Sequence, residues 1–232
     1  MNLKLTELIF PNHCPICDAA LFPGEKICAP CSKIPRIVSY PRCEKCGKAV
    51  KEGEIYCFDC LRNPRAFDRG FSLYEYKSVH DSVAAFKNLG RPEYGVYYGE
   101  MMARFFFEEL IKMEADALIP IPLHPRKEKR RGYNQALILA EAISKMTKIP
   151  VLTNYLIRPK QTQNQKSLGR KDRQNNMKKA FQLHGNDVKL DTVRLVDDIY
   201  TTGNTIGAAA AVLKSVGVER VYFVTLATGR GL

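Results

Sequence analysis

A chain of 232 residues, 45% of them hydrophobic and 26% charged, has room for one ordinary domain and a smaller one, and this balance excludes disorder along its whole length. The formal net charge of +12 favours anionic partners, either nucleic acid or phosphorylated small molecules. No stretch approaches the ~18 consecutive apolar residues of a membrane span. Lys4 and Glu7 interrupt the short apolar run at the N-terminus, so it does not read as a signal peptide and a cytoplasmic protein is expected.

All eight cysteines lie in the first 60 residues, as four Cys-x-x-Cys pairs: Cys14/Cys17, Cys28/Cys31, Cys43/Cys46 and Cys57/Cys60. Two thiolates at this spacing reach one metal across a tight turn, and tetrahedral zinc needs two such pairs. The gaps between pairs are ten, eleven and ten residues. Eight thiolates therefore supply two structural Zn2+ sites. Disulfides and an iron–sulfur cluster are the competing readings, and the absence of an export signal argues against the first. Residues 14–31 and 43–60 share one layout, which predicts two consecutive ribbons. A cross-braced arrangement is the alternative. So small a module, poor in aliphatic residues, takes its folding energy from the metal. Lys33, Arg36, Arg42, Lys45, Lys48 and Lys51 make it basic.

Cysteine disappears after Asn63-Pro64-Arg65, which divides the chain into a zinc module at 1–66 and a second domain at 67–232. Alternation predicts a strand over Phe71 to Tyr76. Helices are expected over His80 to Leu89 and Tyr97 to Met113, the second with a stripe through Met101, Phe105 and Ile111. Ala117 to Ile119 reads as a buried strand running into Pro120-Ile121-Pro122. Tyr133 to Met146 reads as a helix facing inward through Leu137, Ala140 and Ile143. Asn154 to Ile157 is a further strand. Pro159 to Lys179 is polar and reads as a mobile loop. Val193 to Val196 is a strand, Asn204 to Ser215 a helix, and Arg220 to Leu226 a last strand. Alternating strands and helices predict an α/β fold with a mainly parallel sheet.

The segment Asp197-Asp198-Ile199-Tyr200-Thr201-Thr202-Gly203-Asn204-Thr205 carries the chemistry. A buried strand is expected to end in two carboxylates, followed by a hydroxyl-rich turn and a helix. Ligands of α/β sheets bind beyond the C-terminal strand ends. Amide N–H groups at a helix start, with threonine hydroxyls beside them, accept an anion, and Gly203 lets the backbone approach it. Carboxylates accept hydrogen bonds from sugar hydroxyls, so the whole suits a ribose 5-phosphate. The plainer reading is that the aspartates cap the next helix. A second segment, Ile119 to Pro125, precedes Arg126-Lys127-Glu128-Lys129-Arg130-Arg131, whose clustered cations suit a pyrophosphate. Gln165 to Asn176, with Lys166, Arg170, Lys171 and Arg173, reads as a lid over it.

Taken together, the cysteine pairs, the Pro-Ile-Pro-Leu-His-Pro-Arg stretch with its trailing Arg-Arg-Gly-Tyr-Asn-Gln-Ala, and the Asp-Asp-Ile-Tyr-Thr-Thr-Gly turn resemble the ComF family from end to end. A weaker likeness runs through Gln165, Leu168, Arg170, Arg173 and Asn176 to Ala180-Phe181. The resemblance implies a type I phosphoribosyltransferase fold behind a double zinc ribbon. It further implies phosphoribosyl pyrophosphate as ligand, with Mg2+, and a role in uptake of single-stranded DNA with machinery at the inner membrane. By the same resemblance Asp197 and Asp198 hold the ribose hydroxyls, and Thr201, Thr202, Gly203, Asn204 and Thr205 wrap the 5-phosphate. Leu123, His124, Arg126, Lys127, Arg130 and Arg131 face the pyrophosphate. Either aspartate is a candidate base toward the acceptor, and residues 67–92 are the expected hood above it. The rival reading is a non-catalytic protein that handles single-stranded DNA through its ribbons and basic surface. Tyr74, Tyr76, Tyr94, Tyr97 and Tyr98 are then available to stack on bases, although packing suits each of them better.

Overall fold

The computed structural model describes residues 11–159, 180–184 and 188–229. The expected lid, Gln165 to Asn176, and nearly all of the polar loop lie outside the described residues.

Each ribbon turns on its cysteines. The first closes with a 3-10 turn, Ala29–Lys33, and the second with the short helix α1, Phe58–Arg62. Strand β1, Arg69–Glu75, follows, then helices α2, Tyr76–Asn88, α3, Pro92–Phe105, and α4, Phe107–Lys112. Strand β2, Ala117–Pro120, leads into α5, Pro125–Arg131, and α6, Gln135–Thr147. Strands β3, Leu156–Ile157, and β4, Gln182–Leu183, pair antiparallel in a small sheet of their own. Strand β5, Thr192–Tyr200, helix α7, Asn204–Ser215, and strand β6, Arg220–Thr228, complete the fold.

The main sheet has the order β1-β6-β5-β2, and all three pairings are parallel. This is the α/β architecture expected from the pattern of elements. Parallel strands buried on both faces read as unbroken apolar runs. Ile119, Leu195 and Phe223 turn to one face, against Ile206, Ala210 and Leu213 of α7. Leu118, Val196 and Val224 turn to the other, against α2, α3 and α6.

Several sequence expectations need correction. Strand β5 does not stop at Val196. Its pairing with β6 continues through Asp197↔Thr225 and Ile199↔Ala227 to Tyr200↔Thr228, so the carboxylates are held by the sheet itself. The helix expected over Tyr97 to Met113 breaks at Phe106. The break turns Phe106 and Leu110 into the core, while Phe105 and Ile111 stay exposed at 38% and 44%. The buried face of α3 is Tyr94, Tyr98 and Met102 instead of a stripe through Met101. In α6, Leu139 takes the inward place assigned to Leu137. The basic run after Pro125 is itself a helix, α5, unforeseen because its residues have no apolar face. Much of the expected hood, Arg69 to Glu75, is an edge strand of the sheet. Tyr74, Tyr94 and Tyr98 are core residues with at most 3% exposure, so none of them offers a face for stacking.

The second ribbon is built onto this sheet. The Val38 N–H donates to Leu73 O at 3.0 Å, the Glu75 N–H to Arg36 O at 2.8 Å and the Gly70 N–H to Lys45 O at 3.0 Å. Gly47 sits at φ +74°, and a Cβ there would fall 2.6 Å from Gly70 O, so only glycine permits this approach. The first ribbon has a small core of Cys14, Leu21 and Cys31. It docks on α2 and α3 through Ser82 to Pro15 O and through the Tyr94 and Arg91 side chains to Asp18.

Candidate functional site

The four sulfurs of Cys14, Cys17, Cys28 and Cys31 lie within 4.8 Å of one another, as do those of Cys43, Cys46, Cys57 and Cys60. The ribbons are therefore consecutive and not cross-braced. Sulfur separations are 3.6 Å for Cys14–Cys28, 3.7 Å for Cys17–Cys28 and 3.6 Å for Cys46–Cys57. Tetrahedral zinc with Zn–S bonds of ~2.3 Å spaces its ligands by about 3.8 Å, so both donor sets fit the metal. Cys17 is exposed in the first set. In the second, Cys43, Cys46 and Cys57 are at most 3% exposed and belong to the main core beside Phe67, Tyr200 and Phe223.

The predicted phosphate turn stands at the C-terminal end of β5. Gly203 caps α7 at φ +74°, a left-handed conformation that the turn needs in order to enter the helix. Thr201, Thr202 and Asn204 are exposed, and Thr205 is half-buried. Asp197 Oδ1 accepts from the Asp198 N–H at 2.8 Å, and Asp198 pairs with Lys87 Nζ at 3.0 Å. Burial first, then the neighbouring Asp198 charge, pushes the Asp197 carboxyl up to about 8, against the lowering influence of the Asp198 N–H, Lys87 and Arg158. The Asp197 carboxyl is thus held toward its protonated form, while Asp198 shares a cation.

Strand β2 pairs with β5, and the Ile121 N–H donates to Val196 O at 2.9 Å, so the turn expected to face a pyrophosphate begins beside the carboxylates. Asn134 Nδ2 fixes that turn by donating to Ile121 O at 3.1 Å. His124 caps α5, its Nδ1 accepting from the Arg126 N–H at 3.2 Å. Leu123 and His124 are half-buried near the mouth, whereas Arg126, Lys127 and Arg130 point to solvent. Arg131 differs: Nη1 donates to Gln135 Oε1 at 2.8 Å, and its Nε is buried with no acceptor among the described residues.

Two family models match separate parts of the chain. Residues 5–61 match the double zinc ribbon domain, and residues 134–231 match the phosphoribosyl transferase domain. Competence protein F of Haemophilus influenzae is 42% identical over 108 residues, 46% of this chain and 47% of its own. Competence protein ComFC of Bacillus subtilis is 32% identical over 43% of this chain and 39% of its own. The DNA utilization protein YhgH of Escherichia coli K12 is 31% identical over 46% of each. The chain thus joins a stretch that matches double zinc ribbons to one that matches phosphoribosyl transferase domains, and is similar over part of its length to competence protein F. Its matches span about half the length of these relatives.

In this ComF-like chain three cations near the site carry no sequence signal. Lys87, at the end of α2, reaches Asp198. Arg65 Nη2 donates to Thr202 O at 2.8 Å across 137 residues of sequence. Lys48, exposed at only 3%, pairs with Asp59 at 2.7 Å and lies 5.6 Å from the Tyr200 ring centroid. Each is a lysine or arginine in a basic chain, and only tertiary contact distinguishes it from a solvated one.

Proposed function

We propose that this competence/DNA utilization homologue binds phosphoribosyl pyrophosphate with Mg2+ at the C-terminal ends of β2 and β5, and transfers the phosphoribosyl group to an acceptor during DNA uptake. The observation that carries the reading is the left-handed Gly203 turn, which starts α7 directly beyond a sheet-held Asp197-Asp198 pair. Its exposed threonine hydroxyls and the amides at the start of α7 suit the 5-phosphate, and the carboxylates suit the ribose diol. Displacement of pyrophosphate at C1 passes through an oxocarbenium-like state, so the protein's part is positioning and charge stabilisation. Mg2+, when bound, neutralises the leaving pyrophosphate. Leu123, His124 and Arg131 flank that leaving group. Asp198, paired with Lys87, suits anchoring of the diol better than proton abstraction. Among the described residues no helix is long and apolar enough to cross a membrane.

The test is calorimetric titration of phosphoribosyl pyrophosphate with Mg2+ into zinc-loaded protein, beside Asp197→Asn/Asp198→Asn. Saturable binding that the variant loses supports the site, and an acceptor screen follows. A folded, metal-replete protein that shows no heat of binding refutes it.

One observation favours a second reading, contact with single-stranded DNA. The ribbon module exposes Phe22, Tyr40, Tyr56 and Phe58, with Arg42 4.3 Å over Tyr40 and Arg62 4.3 Å over Phe58. Rings beside cations suit stacked bases and phosphates. Binding of a labelled oligothymidylate that weakens steeply with salt, and weakens further in Tyr40→Ala/Phe58→Ala, is the expected result.

A further inference from the structure

We propose that the second zinc ribbon braces the phosphate turn, with Arg65 as the positioning residue that aims the Gly203 amide at the anion. The inference rests on the reading of residues 201–205 as a phosphate cradle. Two contacts run from the ribbon to the turn. The first is the aromatic stack beneath it: Tyr200 lies face to face with Phe223 at 4.8 Å and edge-on to Phe67 at 6.2 Å. Cys43, Cys46 and Cys57 belong to this same core, and Lys48, in the ribbon, reaches the ring from one side. The Tyr200 hydroxyl abuts Gly203, filling the space a Cβ would need. The strand end that feeds the turn is thus seated on the metal-bearing module.

The second contact is Arg65. It follows the last ligand, Cys60, by one short helical turn and an Asn-Pro step. Its stem lies along the start of α7, with Cδ 3.3 Å from where a Gly207 Cβ would stand, and its guanidinium takes the Thr202 carbonyl at 2.8 Å. A trans peptide points its C=O and the following N–H in opposite directions. Pinning the Thr202 carbonyl toward the ribbon therefore turns the Gly203 N–H away from it, where it meets no acceptor among the described residues. An unpaired amide at the start of a twelve-residue helix, on the buried Gly203, is the donor an incoming phosphate requires. Without Arg65 the peptide is free to flip, and a flipped peptide presents an oxygen to the anion.

The experiment uses the full zinc-loaded chain as wild type, Arg65→Ala and Arg65→Lys. Ribose 5-phosphate and inorganic pyrophosphate are the calorimetric probes, and amide hydrogen exchange over residues 201–206 is read without ligand. Arg65→Ala is expected to weaken ribose 5-phosphate about tenfold, as for one lost charged hydrogen bond. Pyrophosphate affinity and melting temperature stay unchanged, exchange in the turn quickens, and Arg65→Lys, which restores a donor, recovers most of the affinity. Equal ribose 5-phosphate affinity in Arg65→Ala, parallel loss of both probes, or no gain from lysine overturns the brace. A wild type that binds neither probe overturns the phosphoribosyl site instead, and the exchange measurement still judges the brace, which fails if Arg65→Ala leaves the turn's exchange unaltered.

Discussion

Gly203→Ala separates two costs that usually arrive together. At φ +74° an alanine pays the left-handed backbone penalty, about 1–2 kcal/mol. Its Cβ also collides with the Tyr200 hydroxyl and stands 3.0 Å from the ring Cζ. Tyr200 cannot yield freely, because Phe67 and Phe223 hold it and only 2% of it is exposed. Overpacking of this kind adds about 1–3 kcal/mol, for a total of roughly 2–5 kcal/mol. Gly217 is the internal control. It ends α7 at φ +94°, its N–H donating to Lys214 O and that of Val218 to Leu213 O, and nothing lies within 4 Å of its would-be Cβ. Gly217→Ala should cost the backbone term alone. Since 1 kcal/mol moves the melting temperature of a chain this size by about 2–4 °C, calorimetric scans resolve the two. Removing the hydroxyl in Tyr200→Phe/Gly203→Ala should return part of the excess, giving a positive coupling. Equal losses for Gly203→Ala and Gly217→Ala would refute the claim that Tyr200 is wedged against the turn.

Zinc analysis should find two ions per chain. A chromophoric chelator should strip the Cys14 site first with little change in far-UV dichroism, because Cys17 is exposed, and the buried Cys43 site only as the fold is lost; one-phase release would contradict the ordering. The Asp197 carboxyl sits above its unfolded value, so its contribution to stability is complete below about pH 4 and is lost as pH rises through about 8. Asp197→Asn, which copies the protonated form, should match wild type near pH 4 in urea unfolding and overtake it by about 1.4 kcal/mol per pH unit at most between there and pH 8; parallel pH profiles would dismiss the shift. Arg194 is 1% exposed, held down to about 10 by burial, and its Nε and Nη1 meet no acceptor among the described residues while Nη2 donates to Glu109 O. Arg194→Met should therefore raise stability by about 1–3 kcal/mol, and a lower melting temperature would mean the guanidinium is better satisfied than its surroundings suggest.

Local chemistry was legible in the sequence, and partnership across the chain was not. Four evenly spaced cysteine pairs announced two metals because ligand spacing is a property of a short segment. The acidic pair and the Thr-Thr-Gly turn announced a strand end followed by a helix start for the same reason, and β5 and α7 stand there. The extent of β5 was misread at Asp197, since charged residues break an apolar run although β6 goes on pairing with them. Helix α5 escaped notice because periodicity reports burial, and a helix of solvated lysines and arginines has none. Phe106 shows the converse: the run looked like one helix, and only the core decided which of two adjacent phenylalanines to bury. Arg65 and Lys87 find their targets far along the chain, which no spacing encodes. The division at residue 66 followed composition, whereas Cys43, Cys46 and Cys57 share one core with Phe67, Tyr200 and Phe223 across it.

That continuity alters what a shortened chain would be. Residues 36–38 lie along the outer side of β1, and Val151 and its neighbours do the same beyond β2, so both flanks of the sheet are occupied. A fragment beginning after the ribbons would bare the Leu73 carbonyl and the Glu75 amide on one flank, and strip the cover from Phe67 and Tyr200 beneath. Such a flank is a template for another strand. Cutting off the N-terminal module would not liberate a tidy transferase; it would make a self-associating one, and insoluble aggregate would be its first phenotype.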